Sequence, residues 1–169
     1  MIATRVVIAT RVVLAAAVLL GYAAWCRPAQ AEIEIRVDKA EQRMSVTVNG
    51  LFMHSWAVST GLGGGPRSGL YRPQRLERKW FSRKYNMAPM PYSIFFHEGY
   101  AIHGTIHVKN LGRRASKGCV RLHPNHAAIL FDLVRHHGMG NTRIIVGSGV
   151  AQMPRRHRVA GSVGSPRIR

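Results

Sequence analysis

The sequence predicts a mainly β domain with one principal helix, and three observations carry that reading. Ile33, Ile35 and Val37 alternate with Glu34 and Arg36, the two-residue period of a half-buried strand. Asn49-Gly50 follows a second alternating stretch, and this dipeptide is favoured where both central residues of a tight hairpin turn need positive φ. Between Pro124 and Gly138 the apolar spacing lengthens to that of a helix, with Ile129, Leu130, Leu133 and Val134 on one face.

The elements follow in chain order. Arg5 and Arg11 give a positive start, and Val12 to Ala24 is a charge-free apolar run of 13 residues. That is short of the roughly 20 residues a spanning helix needs. An anchor reaching back to Ile2 would have to carry both arginines. The duplicated stretch Ile2–Val7 and Ile8–Val13 has no evident structural role. Ala29-Gln30-Ala31 fits a signal-peptidase site. Residues 1–31 are therefore expected to be a signal peptide, with the mature chain exported to the periplasm or cell envelope and no membrane span left after cleavage. Cys26 would leave with the signal; lipidation there is disfavoured by the bulky Trp25. Cys119 would then be the one thiol of the mature chain.

Ser45 to Val48 alternates like the first strand, and the return strand after Asn49-Gly50 runs from Leu51 to about Ser59. Gly61 to Gly69 is a glycine-rich connection. It lacks the Gly-Lys-Ser/Thr ending and following helix of a phosphate cradle. Residues 72–91 mix cations, aromatics and prolines without a period and predict an irregular surface segment. Tyr92 to Phe96 and Tyr100 to Ile102 predict two strands around a turn at Glu98-Gly99. Pro124 suits the first turn of a helix and Gly138 its end. Thr142 to Val146 is the last strand. From Gln152 onward Gly, Ser, Pro and Arg dominate, so residues 151–169 are expected to be a disordered basic tail. The domain is then 32–150.

Composition narrows the chemistry. The chain of 169 residues carries 25 Lys+Arg against 7 Asp+Glu. Removing Arg5, Arg11 and Arg27 leaves 22 basic residues against the same 7 acidic ones. So few carboxylates leave little material for a paired-carboxylate glycosidase or a hard-cation site. Two cysteines cannot build a disulfide scaffold. The chemistry must come from His, Cys, Ser or backbone groups.

Cys119 lies in Ser116-Lys117-Gly118-Cys119-Val120-Arg121-Leu122. A free thiol near pKa 8.5 is only about 3% thiolate at neutral pH, so an attacking cysteine needs a base or a positive setting. Lys117, Arg113, Arg114 and Arg121 supply positive charge. Gly118 lets the backbone turn tightly beside the sulfur, where neighbouring N–H groups could face a developing oxyanion. His103, at a strand end, is the natural base. No acidic residue nearby is an obvious partner for it, so a backbone carbonyl would have to hold the imidazole tautomer.

Ile102-His103-Gly104-Thr105, with twelve residues separating His103 from Ser116, and then Ser-Lys-Gly-Cys-Val-Arg-Leu resembles the active-site signature of the L,D-transpeptidase catalytic domain. Val58-Ser59-Thr60-Gly61 with Pro66 and Gly69 resembles the family's upstream motif, and Pro91-Tyr92 also fits. The resemblance covers roughly residues 33–147. It implies a β-sandwich-like domain with Cys119 as nucleophile, His103 as general base and the Gly104 carbonyl orienting that base. The reaction implied is acyl transfer on peptidoglycan stem peptides through a cysteine thioester, completed by a second stem, water, a D-amino acid or an outer-membrane lipoprotein lysine. No cofactor is implied. Lys117 stands where many members have His, and Gly65 replaces the usual Thr before Pro66.

Other readings stand beside these. Arg121 could contact a substrate carboxylate, brace the loop or form a surface ion pair. Ser116 could act in the site or simply turn the loop. Tyr92 could line the donor cleft or be an ordinary core aromatic. His103, His107, Cys119, His123 and His126 could offer N and S ligands to Zn²⁺, although His103-x3-His107 does not lie on one helical face. The basic surface suits anionic murein better than nucleic acid: export argues against nucleic acid, and no cation run is interleaved with stacking aromatics. A hydrolytic relative of the same fold, or a non-catalytic wall-binding protein, are the alternatives.

Overall fold

A computed structural model describes residues 32–150. The expected signal peptide and basic tail lie outside the described residues. One sheet contains β1 (Ile33–Asp38), β2 (Arg43–Val48), β3 (Leu51–Ala57), β4 (Gly69–Tyr71) and β11 (Thr142–Gly147), in the order β3-β2-β1-β11-β4. The second contains β5 (Arg75–Glu77), β8 (Ser93–His97), β9 (Tyr100–Gly104) and β10 (Val120–Leu122), in the order β10-β9-β8-β5. β6 (Phe81–Ser82) and β7 (Ala88–Pro89) form a small ribbon, and α1 spans Pro124–His137.

The alternation at the start of the domain has its structural counterpart in Ile33, Ile35 and Val37, all fully buried. Asn49 and Gly50 have φ of 52° and 76°, the left-handed pair that the β2–β3 turn requires. Glu98 and Gly99, at 41° and 82°, turn β8 into β9 the same way. The core is shared between layers. Met44, Val46, Ile144 and Val146 of the first sheet meet Ile94, Phe96, Ile102, Val120 and Leu122 of the second. Ala127, Leu130, Phe131 and Val134 of α1 belong to the same cluster. This is the mainly β, sandwich-like architecture with one principal helix.

α1 starts where the sequence says it should. Pro124 occupies its first turn, and His123 caps it by accepting the Asn125 N–H at Nδ1 over 3.3 Å. Gly138, at φ 92°, ends it, and Arg135, His136 and His137 place positive or polarisable groups at the negative end of the helix dipole.

Two expectations need correction. Residues 72–91 are not irregular throughout: β5, β6 and β7 lie there, and β5 pairs antiparallel with β8. Strands of two or three residues are too short to show a period, and their pairing is fixed by distant partners. Val120–Leu122 likewise becomes β10 only by pairing in parallel with β9. The return strand stops at Ala57, because Ser59 turns to bridge Arg121 instead. Among the described residues no helix is long and apolar enough to cross a membrane.

Candidate active site

The four-stranded sheet sends alternate side chains to opposite faces, as pleating requires. Ile94, Phe96, Ile102, Val120 and Leu122 enter the main core. Phe95, Ala101, His103, Cys119 and Arg121 line or underlie a cleft on the other face. β9 and β10 run parallel with Val120 beside Ile102 and Arg121 beside His103. Continuing that register by one residue puts Cys119 beside Ala101, diagonal to His103 on the same face. The cleft has a volume of about 630 Å³, and both side chains line it.

His103 is 6% exposed, and its Nδ1 lies 2.8 Å from the Gly104 carbonyl oxygen. A carbonyl only accepts, so Nδ1 carries the hydrogen and Nε2 is left as the ring's acceptor. Burial, aided by the Arg121 charge and opposed by the Gly104 bond, lowers the imidazole pKa from 6.5 to about 4. Burial also pushes the Cys119 thiol above its ordinary range, against the pull of the Ala101 backbone and Arg121. At neutral pH the pair is thus a thiol and an uncharged imidazole. Such a pair can attack only if the ring takes the proton as the sulfur forms its new bond.

The loop before Cys119 is tightly held. Ser116 Oγ donates to the Cys119 carbonyl at 2.6 Å and accepts the Gly118 N–H at 3.0 Å. Ser116 therefore braces the loop, and the N–H of Gly118 itself is engaged there. Gly118 sits at φ 141°, and a Cβ on it would lie 2.5 Å from Tyr100 Cε1. Only glycine fits.

The glycine-rich connection is a second brace. Ser59 and Arg121 exchange backbone bonds of 3.0 and 2.9 Å, the Leu62 N–H donates to Ser116 O at 3.0 Å, and the Ser116 N–H to Thr60 O at 3.0 Å. A Cβ on Gly61 would meet Gly118 Cα at 2.9 Å. Buried Gln42 anchors the strap, donating from Nε2 to Thr60 Oγ1 at 2.7 Å and accepting the Thr60 N–H at 2.8 Å. Sequence reasoning missed Gln42, since a lone glutamine in a turn carries no signal.

The expected residues divide clearly. Cys119, His103, Ser116, Lys117 and Arg121 share the cleft lining, and Gly104 stands behind His103. A Cβ on Gly104 would press on Pro124 Cα and Pro91 Cγ, each at 3.1 Å. Arg121 Nη1 donates to the Ala115 carbonyl at 3.3 Å. No acidic side chain pairs with it among the described residues, so it is a loop brace with its charge in the cleft. Tyr92 is elsewhere: its ring sits edge-on to Phe131 at 5.9 Å, under the Arg78 guanidinium at 5.6 Å. The core reading holds for Tyr92 and the cleft reading does not. His126 stacks on Trp56 at 5.0 Å and lies tilted against His123 at 5.3 Å, away from the cleft lining. Among the described residues no three His, Cys, Asp or Glu side chains are grouped to hold a metal ion.

One wall was unforeseen. Trp80, Arg83, Lys84, Tyr85 and Met90, from the segment expected to be irregular surface, line the cleft. Lys117 Nζ lies 4.8 Å from the Tyr85 ring centroid, linking this wall to the cysteine loop. Five cations, Arg75, Arg83, Lys84, Lys117 and Arg121, line the space against one acid, Glu98.

The family model of the L,D-transpeptidase catalytic domain (YkuD) matches residues 32–151. The chain belongs to that family and carries its catalytic domain. An L,D-transpeptidase from Mycobacterium smegmatis is 22% identical, with TM-score 0.60 over 69% of this chain and 58% of its own. One from Stackebrandtia nassauensis is 24% identical, with TM-score 0.60 over 73% of this chain and 58% of its own. L,D-transpeptidase 3 from Mycobacterium tuberculosis, solved in complex with a faropenem-derived adduct, is 16% identical, with TM-score 0.61 over 70% and 61%. The alignments thus span about three fifths of those solved chains. No curated protein matches.

Proposed function

We propose that this protein is an exported cysteine L,D-transpeptidase acting on peptidoglycan stem peptides. The observation that carries the reading is the shared cleft face of Cys119 and His103, with Nδ1 of His103 on the Gly104 carbonyl. Cys119 Sγ attacks the carbonyl of the L,D bond that precedes the terminal D-residue, while His103 Nε2 takes the thiol proton. The tetrahedral oxyanion forms in the cationic cleft beside Arg121; the N–H groups of Ser116 and Gly118 are already bonded to Thr60 O and Ser116 Oγ and are not free to take it. The C–N bond then breaks, the imidazolium returns its proton to the departing amine, and a thioester remains on Cys119.

An amine from a second stem attacks that thioester, the C–S bond breaks as the 3→3 amide forms, and His103 carries the amine's proton to the released Cys119 sulfur. A lipoprotein lysine or a D-amino acid can supply the amine instead, and water in its place would make the protein a carboxypeptidase. Arg121 and Lys117 supply positive charge for the substrate's carboxylates. The cationic cleft supports an anionic peptide as ligand, and the wall's location requires export.

The test is intact-mass analysis after incubation with faropenem. One covalent adduct is expected on the wild-type chain and none on Cys119→Ala. An adduct that persists on Cys119→Ala would defeat the assignment. Muropeptide products then decide among the acceptors.

A further inference from the structure

One row of residues crosses the cleft face of the four-stranded sheet. Arg75 on β5 pairs with Phe95 on β8, Phe95 pairs with Ala101 on β9, and Cys119 continues the β9–β10 register beside Ala101. Three strand spacings of about 4.8 Å put the Arg75 backbone roughly 14 Å from Cys119. The side chain closes part of that gap. Its guanidinium carbon lies 4.2 Å from the Phe95 ring centroid and 4.4 Å from that of Trp80, and the two rings meet edge-on at 5.5 Å. Lying over Phe95, one strand closer, the guanidinium is about two strand spacings, roughly 10 Å, from the Cys119 strand position measured across the sheet.

The seat is built to hold a cation still. Two aromatic rings attract the guanidinium and fix its plane, which lowers the entropy lost when it binds a partner. Nη1 also donates to Glu77 Oε1 at 3.0 Å, and Glu77 does not line the cleft whereas Arg75 does. A guanidinium has five N–H donors, so this one contact leaves a free fork. Planar forks of this kind suit a carboxylate, which they can take in two parallel bonds.

We infer that Arg75 is a specificity-determining residue that binds a free carboxylate of the donor peptide about 10 Å from the attacked carbonyl. The inference rests on the transpeptidase reading for the identity of the peptide. A stem peptide offers two carboxylates at such a remove, one on its glutamate and one at the far end of its diaminopimelate side chain.

The test is calorimetric binding on a Cys119→Ala background, which prevents turnover. The probes are a tetrapeptide with free carboxylates and two versions, each amidated at one of those positions. Arg75→Gln is expected to weaken the free-acid peptide about tenfold or more. One amidated peptide should bind the Arg75 protein equally weakly and lose nothing further on Arg75→Gln, and Arg75→Lys should recover part of the free-acid affinity. Equal losses for all three peptides would make Arg75 a wall brace only. Unchanged affinities, or no peptide binding to the Arg75 protein, would also overturn the inference. A wild-type chain that forms no faropenem adduct would instead defeat the transpeptidase reading and leave this comparison intact.

Discussion

The two faces of the four-stranded sheet use the same strands for opposite ends. On the inner face Ile94, Phe96, Ile102, Val120 and Leu122 are closed off from solvent in the core that both sheets and α1 share. On the outer face, one residue out of step, Phe95, Ala101, His103, Cys119 and Arg121 belong to the cleft. Period-two alternation thus separates stability from chemistry within a three-residue strand. The groups proposed to react sit on strands whose alternate residues are buried. A one-residue slip would exchange the two roles.

That division can be broken from either side. Leu122→Ala is expected to lower stability by about 2–5 kcal/mol through a core cavity. Cys119→Ala should change it by about 1 kcal/mol or less. Denaturant melts of the two variants check this, and equal losses would erase the distinction between faces.

His103 ties the faces together through burial. Its folded pKa of about 4 lies below its ordinary 6.5, so the unfolded chain binds more protons between those values. The stability it contributes is fully present above about pH 6.5 and is lost as pH falls toward 4. The full span corresponds to about 3 kcal/mol. Stability of wild type minus His103→Gln, measured across that window, should fall with acid; a flat difference would mean that the imidazole is not buried as described.

Gly118→Ala sharpens the comparison through the geometry of the cysteine loop. Its Cβ would collide with Tyr100 and require a backbone at positive φ. Acylation is expected to slow roughly 100-fold through misplacement of Cys119. Stopped-flow acylation measures it, and a wild-type rate would mean that the loop's tight turn does not position the sulfur.

Much of this was legible beforehand for physical reasons. The buried alternation of β1, the two left-handed turns and the capped helix are local, and their residues declare them. Ser116-Lys117-Gly118-Cys119 and His103-Gly104 were equally visible, and the Gly104 carbonyl lies against the ring nitrogen for which no acid was found. What the chain did not reveal depends on distant partners. β5 and β10 exist only beside β8 and β9, and Arg75 acquires its seat only when Phe95 and Trp80 converge on it. Gln42 braces Thr60 across a fold that nothing near residue 42 announces. Tyr92 follows a proline in a motif-like setting, yet faces α1.

The most direct test of the central claim is the pH dependence of Cys119 acylation by faropenem, in wild type and in His103→Gln. If a neutral thiol gives its proton to a neutral imidazole, the wild-type rate rises with pH near 4 and stays level through the range up to the thiol's own raised pKa. The variant should lose that plateau and climb about tenfold per pH unit with its thiolate fraction. A wild-type rate that climbs toward pH 9 alongside the variant would contradict the assignment of His103 as the base.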